Sequence, residues 1–171
     1  DLDSINGYHE MVEVKKLMTS EEMLTSLRKK SRDNSRTPMQ WDDSTNAGFS
    51  TGTPWIKVNP NYTEINAREQ LQRPDSVFHY YQKLIQLRKQ HEIIVYGKYE
   101  LLDGTNPDVY AYTRTLDNEK LLIVCNFTSK ELDYPIPEMY KDGSCLISNY
   151  PDNTIGNTLR PYEAYVLHIE L

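Results

Sequence analysis

The run Val109-Tyr110-Ala111-Tyr112-Thr113-Arg114-Thr115-Leu116-Asp117-Asn118-Glu119-Lys120-Leu121-Leu122-Ile123-Val124-Cys125-Asn126-Phe127-Thr128 decides the class of fold. Val109 to Leu116 and Lys120 to Thr128 read as strands on either side of an Asp-Asn turn signal. The tract Leu121-Leu122-Ile123-Val124-Cys125 has no polar alternation, which predicts a central strand buried on both faces. Outward from it, Glu92 to Val95, Lys98 to Leu102, Leu132 to Ile136, Ser144 to Asn149 and Ala164 to Leu171 carry strand-like patterns between further turn signals. In the last of these, Tyr165, Leu167 and Ile169 alternate with Val166, His168 and Glu170. Seven strands at short spacing predict an antiparallel β-sandwich.

Before the strands the period changes. Pro74-Asp75-Ser76 supplies a stop and a cap, and Val77, Phe78, Tyr81, Leu84, Ile85 and Arg88 follow helical spacing. The predicted helix, Asp75 to His91, is about 25 Å long. At the other end of the chain, Ile5, Tyr8 and Val12 share a helical face, and Thr19-Ser20-Glu21-Glu22 has capping-box spacing before Met23, Leu24 and Leu27, so two short helices are expected. Between these helical zones, from Ser31 to Pro74, periodicity is lost. Prolines 38, 54, 60 and 74 and glycines 48 and 52 interrupt every run. A loop this long inside a domain is usually functional or disordered. Met39, Trp41, Phe49, Trp55, Ile56 and Val58 make it too apolar for a solvated linker.

Composition removes several classes of function. With 171 residues, 38% of them hydrophobic, the chain can bury one ordinary core and an appendage. A formal charge of -6 and no basic run longer than Arg28-Lys29-Lys30 give nucleic acid no footprint. No apolar stretch approaches the roughly 20 residues needed to span a bilayer, and the acidic opening does not read as a signal peptide, so no membrane partner and a cytoplasmic setting are expected. Cys125 and Cys145 each lie inside a predicted strand and read as two buried thiols acting as small apolar side chains. Asn61-Tyr62-Thr63 and Asn126-Phe127-Thr128 match the glycosylation sequon, a triplet common by chance.

Familiar catalytic patterns are missing. His9, His79, His91 and His168 have no metal-ligand spacing, so neither a metal nor any other cofactor is expected. There is no Gly-x-Ser-x-Gly elbow and no phosphate-binding glycine loop. Glycoside hydrolysis needs two carboxylates facing across a cleft. Asp33, Asp42, Asp43 and Glu64 lie in the loop zone, but spacing alone places no two of them at working distance.

One segment stands above this background: Ser31-Arg32-Asp33-Asn34-Ser35-Arg36-Thr37-Pro38-Met39-Gln40-Trp41-Asp42. With Asn46-Ala47-Gly48-Phe49, Pro54-Trp55-Ile56, Val58-Asn59-Pro60-Asn61-Tyr62 and Leu159-Arg160-Pro161-Tyr162-Glu163-Ala164, it resembles the oligo-1,6-glucosidase and trehalose-6-phosphate hydrolase branch of glycoside hydrolase family 13. The resemblance covers essentially the whole chain. It implies a mainly β chain with a helical N-terminal part. Residues 1–92 would be the remnant of a truncated (β/α)8 barrel, its long loop after strand 8 and its final helix, and residues 93–171 a C-terminal antiparallel β-sandwich domain. A whole barrel needs about 250 residues. The family's nucleophilic Asp, acid/base Glu and second Asp belong to earlier strands, so no catalytic residue is expected here.

What the loop would contribute is substrate binding. In the family an Arg of the Arg-Asp-Asn-x-Arg stretch pairs with a barrel Asp and contacts the terminal glucose; by position that role falls to Arg36, with Arg32 second. A guanidinium matches a carboxylate and neighbouring hydroxyls at once, which Lys cannot do. Without the barrel carboxylate, Arg36 is expected to be solvated. Trp41 and Trp55 read as packing anchors before sugar platforms. The partners implied are an oligosaccharide or disaccharide-phosphate substrate, the missing N-terminal catalytic barrel, and, through the apolar stripe Val77, Phe78 and Tyr81, either the sandwich or a second copy. The Ser-Arg-Asp-Asn-Ser-Arg wording leans toward trehalose 6-phosphate over α-1,6-linked substrates. The alternative from another class is a free-standing β-sandwich module for carbohydrate binding or assembly.

Overall fold

The computed structural model describes residues 1–152 and 154–171, which form two compact units, Asp1–His79 and Tyr80–Leu171. The division falls inside helix α4 (Val77–Gln90).

In the first unit α1 (Leu2–Tyr8) runs into a π-helical turn at His9–Val14. Helix α2 (Ser20–Lys30) starts where the capping box was expected. The Thr19 hydroxyl accepts from the Glu22 amide at 3.2 Å, and the Glu22 carboxylate accepts from the Thr19 amide at 2.8 Å. Arg28, Lys29 and Lys30 occupy its last turn, where cations oppose the helix dipole. Gly7 lets α1 approach buried Met23 on α2, since an added Cβ would lie 3.2 Å from the Met23 methyl.

The segment after α2, where no regular element was expected, contains several short ones. It forms 3-10 turns at Arg32–Ser35, Thr45–Gly48 and Pro60–Thr63, and a short helix α3 (Ala67–Gln72). Helix α3 has no apolar period to announce it. Its start is fixed by Asn66, whose carboxamide oxygen accepts from the Glu69 amide at 3.0 Å while its nitrogen donates to the Tyr62 carbonyl at 2.9 Å.

The second unit holds a five-stranded antiparallel sheet of order β1-β2-β3-β7-β5 and a two-stranded ribbon β4-β6. The strands are β1 (Lys98–Leu101), β2 (Val109–Leu116), β3 (Glu119–Asn126), β4 (Leu132–Asp133), β5 (Ser144–Ser148), β6 (Thr158–Leu159) and β7 (Ala164–Glu170). Strand β3 sits between β2 and β7, and Leu121, Leu122 and Val124 are all but inaccessible to solvent. One sheet face buries Val109, Ala111, Leu122, Val124, Tyr165 and Leu167 with Tyr140 and Leu159. On the other, Tyr80, Leu84 and Leu87 of α4 lie over Tyr112, Ile123 and Cys125 around an apolar cavity of about 230 Å³. The α4 side chains Val77, Phe78, Tyr81 and Ile85 remain exposed.

Three strand expectations are corrected. Glu92 to Val95 is not a strand: Ile93–Tyr96 forms the short helix α5. Its β-branched run reads as strand, but the Arg114 guanidinium donates to the carbonyls of Ile93, Val95 and Gly97 at 3.1, 3.2 and 2.9 Å, closing the open end of the turn. Strand β4 stops at Asp133 rather than Ile136, and β6 appears where no strand was read.

The loops between β5 and β7 are fastened by Arg160. Its guanidinium donates to Asp152 at 3.0 and 2.9 Å, to the Thr154 carbonyl at 3.2 Å and, through Nε, to buried Glu163 at 3.0 Å. It also lies 3.8 Å from the Tyr150 ring centre. Buried Asn126 ties this corner to β3, donating to the Lys130 and Arg160 carbonyls at 2.8 and 2.9 Å. That burial withholds the Asn126 sequon from modification in the folded chain.

Truncating Leu122 to Ala leaves a void at the middle of β3, so the second unit should lose roughly 2–5 kcal/mol, read as a lowered urea midpoint with little change in slope.

Candidate functional site

The loop carrying the conspicuous motif is built from local hydrogen bonds. The Trp41 and Asp42 amides donate to the Ala47 carbonyl at 2.9 and 3.2 Å, and the Ala67 and Arg68 amides to the Gln40 and Trp41 carbonyls at 2.9 and 3.0 Å. Arg68 bridges Asp42 at 2.6 Å and Asp43 at 2.9 Å. Asn46, Ala47 and Gly48 are all left-handed, at φ 55°, 60° and 65°. For Asn and Gly that region is cheap; for buried Ala47 it is held by its surroundings. The Asn46 carboxamide helps, donating to the Ser50 and Gly52 carbonyls at 3.1 and 3.0 Å. At Gly48 a Cβ would come within 2.8 Å of the Asp42 carboxylate, which would have to move from its Ser44 and Arg68 partners.

This framework displays aromatic and cationic side chains. Trp41, Phe49 and Trp55 are exposed, Trp55 at 81%. Arg36 is not simply solvated, which corrects the expectation for it. One guanidinium nitrogen donates to Asp33 at 3.1 Å, and its central carbon lies 5.5 Å from the Trp55 ring centre. Arg32 is also exposed; its backbone amide donates to the Asp1 carboxylate at 3.1 Å, and its guanidinium has no partner among the described residues. The two arginines thus differ: Arg36 is held in place and Arg32 is open.

The loop carboxylates do not form an acid/base pair. Asp33 faces Arg36, and Asp42 and Asp43 face Arg68. Hydrogen bonds from the Ser44 hydroxyl and amide, with Arg68 nearby, hold the Asp42 carboxyl below the usual carboxylate range. Of the histidines, His9 meets Glu13 at 2.6 Å, His79 the Leu71 carbonyl at 3.1 Å, and the His91 ring stands 6.1 Å from that of His168. Among the described residues no group of three His, Cys, Asp or Glu could hold a metal ion, and no helix is long and apolar enough to cross a membrane. Cys125 and Cys145 are free and partly buried, and burial raises both thiol pKa values. Sequence reading singled out Arg32, Arg36 and the tryptophans but missed the Arg68 bridge. Its members are 25 and 26 positions apart, and no local pattern marks them.

Residues 5–97 match the family model for the α-amylase catalytic domain, and residues 109–166 match that for the C-terminal domain of the α-amylase SusG. The chain belongs to the α-amylase family. It is 51% identical to an oligo-1,6-glucosidase of Parageobacillus thermoglucosidasius and 43% identical to a trehalose-6-phosphate hydrolase of Bacillus subtilis (strain 168), aligning over 100% and 99% of its own length. Among solved structures it is similar to Bacillus licheniformis trehalose-6-phosphate hydrolase, with a TM-score of 0.89 at 43% identity. It is also similar to the isomaltulose synthase of Klebsiella sp. LX3, with a TM-score of 0.92 at 40% identity. In every case the chain spans about a third of the relative, 31% of both curated relatives and 32% and 31% of the two structures.

The Asp42 carboxylate stabilises the loop in its ionised form. Its folded pKa lies below the ordinary value of 3.8, so this contribution is complete above 3.8 and is lost as pH falls through the folded value. Acid titration should perturb the Ser44 amide signal in this range, and Asp42→Ala, which removes the acceptor, should show the released signal at neutral pH.

Proposed function

We propose that this chain is the C-terminal portion of a retaining α-glucosidase that removes a terminal α-linked glucose from isomalto-oligosaccharides or trehalose 6-phosphate. Residues 1–92 would be the loop and helix that complete a catalytic barrel, and residues 93–171 the β-sandwich that follows it. The observation that carries this reading is the alignment of nearly the whole chain with oligo-1,6-glucosidases and a trehalose-6-phosphate hydrolase. Identity of 51% against 43% favours the α-1,6 substrate over the phosphorylated one, the reverse of the lean in the motif wording.

In such a reaction one carboxylate attacks the anomeric carbon to form a glycosyl ester while another protonates the leaving oxygen; water then reverses the ester. No pair of carboxylates in the motif loop is arranged for this, so the reacting groups are assigned to the part of the relatives that this chain does not span. The loop's role is to hold the sugar. Arg36, fixed by Asp33 and Trp55, keeps guanidinium edges for a barrel carboxylate and glucose hydroxyls, and Arg32 offers an unengaged fork as the second contact. The exposed α4 stripe fits coverage by the barrel, or self-association when the barrel is absent. The free thiols agree with a reducing cytoplasm.

The 171-residue chain alone should release neither glucose from isomaltose nor glucose 6-phosphate from trehalose 6-phosphate; turnover by it would overturn the assignment. In the longer protein that carries this segment, Arg36→Ala and Arg32→Ala should each lower kcat/KM by about 2–3 kcal/mol of transition-state stabilisation, with an unchanged circular dichroism spectrum. Arg36→Lys should not restore it. An arginine whose removal leaves kcat/KM intact is not a sugar contact.

A further inference from the structure

The cavity between α4 and the sheet is used by neither the core nor the motif loop. Its volume is about 230 Å³. Leu84 and Leu87 of α4 and Ile94 of α5 supply one wall, and Ile123 and Cys125 of β3 with Val166 of β7 supply the other. All of these residues lie in the second unit, so both walls come from this chain. Leu84 is also 39% exposed, so the cavity reaches the surface beside the helix.

We propose that this cavity is a binding site for a small, neutral, apolar molecule of one or two rings. An apolar cavity of about 150 Å³ holds benzene, so this one has room for a substituted or bicyclic guest. The chemistry of the lining selects against other occupants. Burial pushes the ionisation of Tyr80, Tyr112, Tyr165 and the Cys125 thiol upward, so all four are neutral at physiological pH. Arg114 is the one charged residue of the lining among the described residues, and three of its N–H groups go to the carbonyls of Ile93, Val95 and Gly97. A charged or hydroxyl-rich guest would lose its hydration there with little to replace it. Water needs roughly two to four polar partners per molecule, which walls of leucine, isoleucine and valine do not offer. A neutral ring, by contrast, gains dispersion contacts with both walls.

The helix also sets this site apart from the surface assigned to the rest of a longer protein. Tyr80, Leu84 and Leu87 line the cavity, whereas Tyr81 and Ile85 are exposed on a different face of α4. A segment packed on that outer stripe covers the helix without entering the space beneath it. The site therefore does not rest on the α-glucosidase reading. A bound guest would brace α4 against the sheet, so the second unit should become more stable as guest is added.

The test is methyl-detected NMR on the 171-residue chain, titrated with p-xylene and separately with benzoate. p-Xylene should shift the methyl signals of Leu84, Leu87, Ile123 and Val166 saturably and raise the melting temperature. Ala164→Leu, which fills the cavity from β7, should weaken that binding by about tenfold or more. Cys125→Met fills it from β3 and gives the same readout should the first variant fail to fold. No saturable shift with p-xylene, or binding that survives filling of the cavity, would overturn the site. Benzoate binding more tightly than p-xylene would overturn the neutral class of guest, since Arg114 would then be the anchor. The longer protein that carries this segment should bind p-xylene comparably. Loss of binding there would mean that the remainder of the protein fills the cavity, and would overturn the site as well.

Discussion

Strand β3 carries an apolar side chain at every position from Leu121 to Cys125, and a strand of that kind is stable only when both of its faces are covered. The second unit is organised around this requirement. Strands β2 and β7 pair with β3 on either side, Tyr140 and Leu159 help close one face, and α4 lies across the other. A helix on one side and a ribbon on the other leave the ends of the sheet to loops. Those loops are held by charge and hydrogen bonding, because little apolar surface is left there. Arg160 with Glu163 and Asp152, and Asn126 with the Lys130 and Arg160 carbonyls, are the fastenings at one end. Arg114 with the carbonyls of α5 and Gly97 is another.

The first unit solves a different problem. It has few apolar residues to bury and many exposed ones, Trp41, Trp55, Leu17 and Leu24 among them. Its order comes from side chains that complete backbone turns: the Thr19–Glu22 box, the Asn66 cap, the Asn46 bonds to Ser50 and Gly52, and the Arg68 bridge to Asp42 and Asp43. Such a unit holds its shape locally while presenting apolar and cationic groups outward. Arg36 illustrates the consequence. Its guanidinium is held by Asp33, three positions before it, and by the Trp55 ring.

Much of this was readable in the residues. The capping box marked the start of α2, the i, i+3, i+4 pattern marked α4 to within two residues at its N-terminal end, and the apolar tract marked β3 as central. The motif from Ser31 to Asp42 pointed to the family, and a motif of that kind survives because side-chain identity itself is what it records. Legibility failed where one residue's conformation depends on another far away. Ile93-Ile94-Val95 has strand character, yet Arg114, about twenty positions later, stabilises the helical turn. Strand β6 has two residues, too few for any period, and exists because β4 pairs with it.

By itself, then, the sequence determined the all-antiparallel character of the second unit, the helices before it and the identity of the arginines exposed on the long loop, because each is set by local period, caps or residue chemistry. Only the tertiary structure decided the strand order, the helical turn at α5, the Asp42–Arg68–Asp43 bridge and the clustering of the Tyr99, Tyr110 and Tyr112 rings. These last depend on pairings between residues distant along the chain, whose free energy appears only once the backbone has brought them together.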